Sequence, residues 1–108
     1  MISATNFRIV YITCDSSESA SNIARELVVN KLAACCSIIH NATSFFEWEN
    51  ELQIRIEFII MAKTIDSKLE ALQEKVLSLH NDEVPEIIAV EIDKGLDTYL
   101  KWVETELI

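Results

Sequence analysis

Glycine and proline are nearly absent from this chain, which has one residue of each among 108. With Gly95 as the only glycine, neither the Gly-x-Gly-x-x-Gly fingerprint nor a glycine-rich phosphate loop can form. The sequence also has no His-x-x-x-His or Cys-x-x-Cys spacing, which excludes a structural zinc site of the kind readable from sequence. Enzymes that use nucleotide cofactors are therefore not expected.

Basic residues and long apolar runs are scarce as well. The chain has 9 lysines and arginines, 18 aspartates and glutamates, and a formal net charge of -9. Nucleic-acid affinity depends on basic residues that displace counterions from phosphates, so no nucleic-acid partner is expected. No apolar run approaches the roughly 18 residues that span a bilayer, and the first residues lack the features of a signal peptide. We expect one cytoplasmic domain, residues 1–108, with no membrane partner.

The cysteines indicate free thiols in a reducing compartment. Cys14, Cys35 and Cys36 are odd in number, and neighbouring residues of a strand point to opposite faces, which is unsuited to a disulfide framework. We expect Cys36 to be a small buried apolar side chain.

The first half of the chain alternates strand and helix patterns. β-branched and aromatic residues predict strands, and apolar residues at helical spacing after Asp15-Ser16-Ser17-Glu18 predict a capped amphipathic helix. The predicted elements are a strand over Phe7–Cys14, a helix ending near Asn30, strands over Ala34–Ile39 and Ala42–Trp48 with a turn at His40-Asn41, and a hairpin turn at Glu49-Asn50.

Pro85 organises the second half. Proline removes a backbone donor and disfavours helix at the preceding residue, so the preceding helix must end near His80 and a strand can begin near Glu86. A capping box at Ser67-Lys68-Leu69-Glu70 is expected to start that helix. The last strand is predicted over Glu86–Ile92, a turn at Gly95, and a C-terminal helix whose apolar face runs from Leu96 to Leu107.

The segment Leu52–Lys63 predicts an unusually long strand. One face is apolar throughout, while the other changes from polar to apolar halfway. Such a strand would run roughly 40 Å, beyond the roughly 30 Å breadth of a domain of this size. An apolar strand that projects from its core requires a cover, and a second copy of the chain can provide it. We therefore expect a homo-oligomer.

Two strand–helix–strand crossovers around a hairpin predict an α+β fold. Right-handed connections place both helices on one face of an antiparallel sheet, giving a ferredoxin-like βαββαβ sandwich with an additional C-terminal helix.

Five segments, in order and spacing, resemble the CutA family of divalent-cation tolerance proteins over nearly the whole chain. They are Lys31-Leu32-Ala33-Ala34-Cys35, Trp48-Glu49-Asn50, Lys63-Thr64, His80-Asn81-Asp82-Glu83-Val84-Pro85-Glu86-Ile87-Ile88 and Tyr99-Leu100-Lys101-Trp102. The resemblance implies the same architecture, a compact trimer and a role in copper tolerance. The chain departs from the family pattern at Asn81-Asp82, where Pro-Tyr is common, and at Asn50, where glycine is common.

The resemblance makes Cys35 and His80 the candidate metal ligands, because those family positions have been associated with divalent metal. Thiolate and imidazole suit copper and zinc, and such a site could draw on different segments or subunits. We expect copper or another divalent ion to bind with low site definition and to be unnecessary for folding. A polar helix-end residue that interacts with the helix dipole is the alternative for His80.

A second hypothesis is a P-II-like module that binds a small ligand in clefts between subunits. Glu57 and Lys63 would flank the cleft, and Trp48 and Trp102 would line it. The alternative for these residues is a surface ion pair with ordinary interface aromatics. No catalytic residue is identified, and an enzyme is not expected.

Overall fold

A computed structural model describes all 108 residues. The elements in chain order are β1 (Ile2–Ser3), β2 (Phe7–Cys14), α1 (Ser17–Val29), β3 (Cys35–Trp48), β4 (Glu51–Ile65), a short 3-10 turn (Asp66–Lys68), α2 (Leu69–Leu79), β5 (Ile87–Glu91), β6 (Lys94–Gly95) and α3 (Asp97–Glu106).

Four strands form an antiparallel sheet in the order β3-β4-β2-β5, and β1 pairs with β6 in a separate two-stranded sheet. Helices α1 and α2 cover one face of the large sheet. The core between them includes Ile23, Leu27, Leu72 and Val76 from the helices and Ile12 from the sheet. This is the predicted ferredoxin-like sandwich, and α3 is the additional C-terminal helix.

Helix α3 packs across one end of the opposite face. Its Leu100 and Val103, with Leu107 directly after it, form a second cluster with Phe7 and Ala34. No helix covers the remainder of that face, where Ile39, Ile88 and Val90 are about half exposed. The sheet therefore has one covered face and one partly open apolar face.

The first predicted helix cap is confirmed, and the second is wrong. The side chain of Ser16 accepts a hydrogen bond from the backbone N–H of Ser19 at the start of α1. At α2, the 3-10 turn Asp66–Lys68 occupies the place of the expected capping box, and no side chain caps the helix. The turn satisfies backbone groups that a Ser67 side chain would otherwise bond.

The predicted turn at His40-Asn41 is wrong, because β3 runs through it as one strand. Ile39 pairs with Ile59 and Ala42 with Glu57, so two residues of β3 oppose Phe58 alone. This arrangement is a β-bulge, and within it Asn41 adopts a φ of 62°. Asparagine tolerates the left-handed region, which explains why a turn signal falls inside a strand.

The turn predicted at Gly95 is also wrong. Gly95 lies in β6 opposite Ile2 and has no positive φ. A Cβ atom at this position would lie 2.9 Å from the Cδ2 atom of Leu100. The glycine therefore gives room for the Leu100 side chain of α3 and does not serve turn geometry.

The long strand projects as predicted. β2 pairs with β4 only from Phe58 to Ile65, so residues 51–57 of β4 pair with β3 alone. We call residues 42–57, comprising this part of β4, the facing part of β3 and the turn between them, the hairpin arm. The molecule measures 45 Å along its longest axis against 25 and 22 Å across. None of its helices is long and apolar enough to cross a membrane.

Candidate functional site

His80 lies where α2 ends, in extended backbone geometry, and both of its ring nitrogens have partners. Nε2 is 2.7 Å from the carbonyl oxygen of Thr13, and the backbone nitrogen of Asp82 is 3.0 Å from Nδ1. A backbone N–H can only donate, so Nδ1 is the acceptor and carries no proton. Nε2–H therefore donates to Thr13, which assigns the neutral Nε2–H tautomer.

Asp82 also forms an ion pair with Arg55 of the hairpin arm. The Arg55 Nη1 and Nη2 atoms lie 3.2 and 2.7 Å from the two carboxylate oxygens of Asp82, which is a bidentate arrangement. Nη2 is also 2.6 Å from Oε2 of Glu57, and Glu57 is only 5% exposed. One guanidinium thus bridges two carboxylates from two segments.

The charges in this cluster stabilise one another. Hydrogen bonding to Asp82, and then to Glu57, raises the pKa of Arg55 above its usual value. Hydrogen bonding to Arg55 lowers the pKa of Asp82 despite partial burial. The guanidinium carbon also lies 5.8 Å from the ring centroid of Phe46, within range of a cation–π contact. The Asp82 carboxylate and the Arg55 guanidinium are therefore charged at neutral pH.

The structure does not bring the two candidate metal ligands together. Cys35 pairs with Lys63, whereas Thr13, which accepts from His80, pairs with Ile59. Lys63 and Ile59 are four positions apart on β4, so Cys35 and Thr13 are separated by about 13 Å along the strand direction. Moreover, no group of three His, Cys, Asp or Glu side chains is arranged to hold a metal ion. Within one chain, Cys35 and His80 do not fit a preformed metal centre.

All three cysteines are free thiols, as expected. Cys36 packs against the main core, and burial raises its pKa to about 12. Burial raises the pKa of Cys14 to about 11. Cys35 lies on the opposite face, in the row of Lys63. Burial, and then the proximity of Cys35, raises the pKa of Tyr99 above its usual value.

In the folded molecule, the four predicted cleft residues do not lie together. Trp48 pairs with Glu51 at the tip of the hairpin arm, and Glu57 and Lys63 follow at intervals of six residues, about 20 Å each. Glu57 is bound to Arg55, while Nζ of Lys63 lies 3.1 Å from Oγ of Ser37. Trp102 stacks on Tyr99 on α3, with ring centroids 5.7 Å apart. A cleft with all four residues requires more than one chain.

Sequence reasoning missed Arg55 and Asp82, which organise the surroundings of His80. The available signal was an arginine two positions before Glu57, on the same face of a strand that is otherwise largely apolar. Its partner lies 27 residues away in an acidic loop, and no local pattern identifies which acidic residue would pair with it.

Comparisons with known proteins agree with this architecture. The family model described as CutA1 divalent ion tolerance protein matches residues 8–106. The protein CutA homolog of Xenopus laevis is 46% identical over 93 residues, which are 86% of this chain and 62% of that protein. The divalent-cation tolerance protein CutA of Archaeoglobus fulgidus is 37% identical over 95 residues, 88% of this chain and 92% of that protein.

A solved structure shows the same fold over almost the whole chain. The divalent ion tolerance protein CutA1 from Ehrlichia chaffeensis superposes with a TM-score of 0.91 at 30% identity, covering 98% of this chain and 99% of that one. The chain spans about 62% of its Xenopus relative and 53% of the chloroplastic protein CutA of Arabidopsis thaliana. From the match over residues 8–106 and the shared fold, this chain belongs to the CutA1 divalent ion tolerance family.

Proposed function

We propose that this CutA family member acts in divalent-cation tolerance as a homotrimer. The observation that carries the proposal is the exposed apolar face of the hairpin arm. Leu52, Ile54 and Ile56 are 65%, 61% and 49% exposed, and their row continues into the buried core residues Ile60 and Ala62. An apolar strand face of this length is an aggregation hazard in a monomer, and copies of the same chain provide a specific cover.

The strand order also supports closed assembly. The two edges of the large sheet are β3 and β5, which are different surfaces of the molecule. Contact between one edge and the other edge of a neighbour is heterologous, and it closes into a ring when the rotation permits. That the ring has three members follows from the family resemblance.

We propose that divalent cations, copper among them, bind weakly and with low site definition. The support is the excess of 18 acidic over 9 basic residues, the family to which the chain belongs, and the lack of a three-ligand group within one chain. Carboxylates at the surface, and positions completed only between subunits, are the ligands that such a protein offers. The proposal places the protein in the cytoplasm and assigns it no catalytic activity.

Titration calorimetry on the reduced protein tests the metal part of the proposal. Copper(II) and zinc(II) should bind the assembled protein weakly and at more than one site per chain, with affinity falling as salt is added. Magnesium(II) is the control for charge attraction alone. A complete lack of copper and zinc binding, or binding no stronger than that of magnesium, would contradict a direct interaction with these metals.

A ligand-binding module of the P-II type is the second candidate. The observation that favours it is the Tyr99–Trp102 stack, which is about half exposed on α3 and lies near the row of Cys35 and Lys63. Exposed stacked aromatics beside an ammonium group suit a small anion with a planar part.

A panel of small anions and nucleotides tests this candidate through the melting temperature. A true ligand should raise the melting temperature, and Lys63→Met and Glu57→Gln should each abolish that rise. Lys75→Met, on α2, is the matched control for Lys63→Met and should leave the rise unchanged. If no compound in the panel shifts the melting temperature, the candidate fails.

A further inference from the structure

The hydrogen bonds of His80 disagree with a role as a ready metal ligand. Both ring nitrogens are engaged, one with the Thr13 carbonyl and the other with the Asp82 backbone N–H. A metal ion needs the lone pair of one ring nitrogen. In this tautomer the only lone pair is on Nδ1, and Asp82 donates to it.

We propose that Arg55 and Asp82 are positioning residues that hold His80 as a neutral Nε2–H bridge between β2 and the loop after α2. The bridge keeps the imidazole unavailable as a ligand while the Arg55–Asp82 ion pair is closed. This inference is independent of the trimer and goes beyond the metal hypothesis, because it assigns His80 a role within the chain.

The position of the Asp82 N–H is determined by the Asp82 side chain. The carboxylate accepts two hydrogen bonds from one guanidinium, which fixes both its position and its plane. The backbone N–H of the same residue then points at Nδ1 of His80. A single residue thus links the charge of Arg55 to the tautomer of His80.

Arg55 is itself held from two sides. The buried carboxylate of Glu57 bonds Nη2, and the ring of Phe46 lies against the guanidinium. These anchors belong to the hairpin arm, whereas Asp82 belongs to the loop between α2 and β5. The imidazole therefore contacts the end of β2 through Thr13 and the loop through Asp82, and Asp82 in turn links the loop to the hairpin arm through Arg55.

The charged groups around the imidazole are consistent with this assignment. Asp82 lies beside the ring and is the carboxylate that the His80 charge would influence. The Asp82 carboxylate is paired with Arg55, which Glu57 shares, so its oxygens are directed at the guanidinium and not at the imidazole. Asn81 donates to Asp15, which keeps that carboxylate occupied on the other side of the loop.

Nitrogen-15 NMR of the histidine rings of the assembled protein tests the proposal. At neutral pH, His80 should show the pattern of a pure Nε2–H tautomer, while the exposed His40 shows averaged tautomers. In Arg55→Met, His80 should become averaged like His40. Exchange of the Asp82 amide should accelerate about tenfold, the change that corresponds to the net loss of one hydrogen bond, here that from the Asp82 N–H to Nδ1 of His80.

Three comparisons make the result specific. Arg25→Met removes the same charge from the exposed surface of α1 and should leave His80 unchanged. Arg55→Lys should restore part of the tautomer preference. Substoichiometric zinc(II) should shift the His80 ring signals in Arg55→Met and leave them unshifted in the unsubstituted protein.

The proposal is overturned if His80 of the unsubstituted protein is averaged or Nδ1-protonated, or if its signals respond to zinc before those of other groups. It is also overturned if Arg55→Met leaves the tautomer unchanged. The first two outcomes need no variant, so they decide the matter even if Arg55→Met does not fold. Sedimentation separately reports the trimer, so its failure and that of the bridge are distinguishable.

Discussion

At the scale of single residues, the guanidinium of Arg55 joins two carboxylates from different segments of the chain. It bonds the carboxylates of Glu57 and Asp82 and lies against Phe46. Removing one partner of such a cluster leaves the other charges partly buried and less satisfied, which costs more than removing an exposed pair. The stability that the cluster provides therefore depends on pH.

We expect Asp82→Asn to reduce the free energy of unfolding by about 1–2 kcal/mol at neutral pH, because the bidentate ion pair is lost. The pKa of Asp82 is lowered in the folded protein from an ordinary value of 3.8. Its contribution is therefore present above that value and is lost as the pH falls through the lower, folded-state pKa. Urea unfolding of both proteins should show a difference at neutral pH that shrinks under strongly acidic conditions. An unchanged difference would contradict the ion pair.

The buried thiols give a second residue-scale prediction. Burial raises the pKa of Cys14 to about 11 and that of Cys36 to about 12, so little thiolate is available at mildly alkaline pH. Iodoacetamide should leave both unmodified in the native protein and modify both in denaturant, as measured by mass spectrometry. Rapid native modification of either cysteine would show that the core around it is more open than described.

Which residues are buried was more predictable from the sequence than which side chains bind each other. Cys36 was expected to be buried because free cysteine usually is, and it packs against the core but is only half-buried. The end of α2 and the start of β5 followed from the restrictions of Pro85. The partners of Arg55 and His80 were not predictable, because they join residues 27 and 67 positions apart. Contacts of this kind depend on how helices and strands pack, which no local pattern encodes.

At the scale of elements, the bulge in β3 decides which residues share a face. The extra residue shifts the alternation, so Phe45 lies opposite Ile54 and joins the apolar row of the arm, while Phe46 lies opposite Gln53 on the face of Arg55. The turn predicted at His40-Asn41 coincides with an irregularity in the backbone, but that irregularity is a β-bulge and not a turn. Asparagine favours the left-handed region in turns and bulges alike, and only the pairing with β4 distinguishes them.

Substitution at Asn41 tests the bulge. Asn41→Val should destabilise the protein by about 1–2 kcal/mol, since a β-branched residue is strained at a φ of 62°. Asn41→Gly should be nearly neutral and is the matched control. Equal stabilities of the two variants in urea unfolding would argue against a left-handed residue at this position.

The hairpin turn gives another element-scale test. Glu49 and Asn50 have φ values of 51° and 67°, the signs required by a type I′ turn. Glutamate is unfavourable at the first position, so Glu49→Asn should stabilise the protein by up to about 1 kcal/mol. A lower melting temperature for this variant would contradict the turn type.

At the scale of the whole molecule, a single chain leaves two apolar surfaces exposed to solvent. The hairpin arm exposes one row, and the open sheet face exposes Ile39, Ile88 and Val90. The length of β4 and the continuity of its apolar face could be read from alternation alone, so the projection was predictable. Self-association was predicted on the same grounds and stays a prediction. The number of subunits was not predictable from them, because it depends on angles between surfaces.

A charge on the arm should separate the copies without unfolding the chain. Ile54 is 61% exposed, so Ile54→Lys would be nearly neutral in a monomer but would place an ammonium in the proposed interface. Size-exclusion chromatography should show a smaller species with retained secondary structure. Leu77→Lys, at a 52% exposed position on α2, is the control and should leave the assembly intact. Identical elution of both variants and the parent protein would exclude the arm from the interface.

The most direct test of self-association is sedimentation equilibrium of the unsubstituted protein at micromolar concentration. We expect a single species of about three times the 12.3 kDa mass of the chain, because the arm and the open sheet face are covered by neighbours. A stable species of 12.3 kDa would contradict this, since it would show that the chain tolerates both apolar surfaces in water.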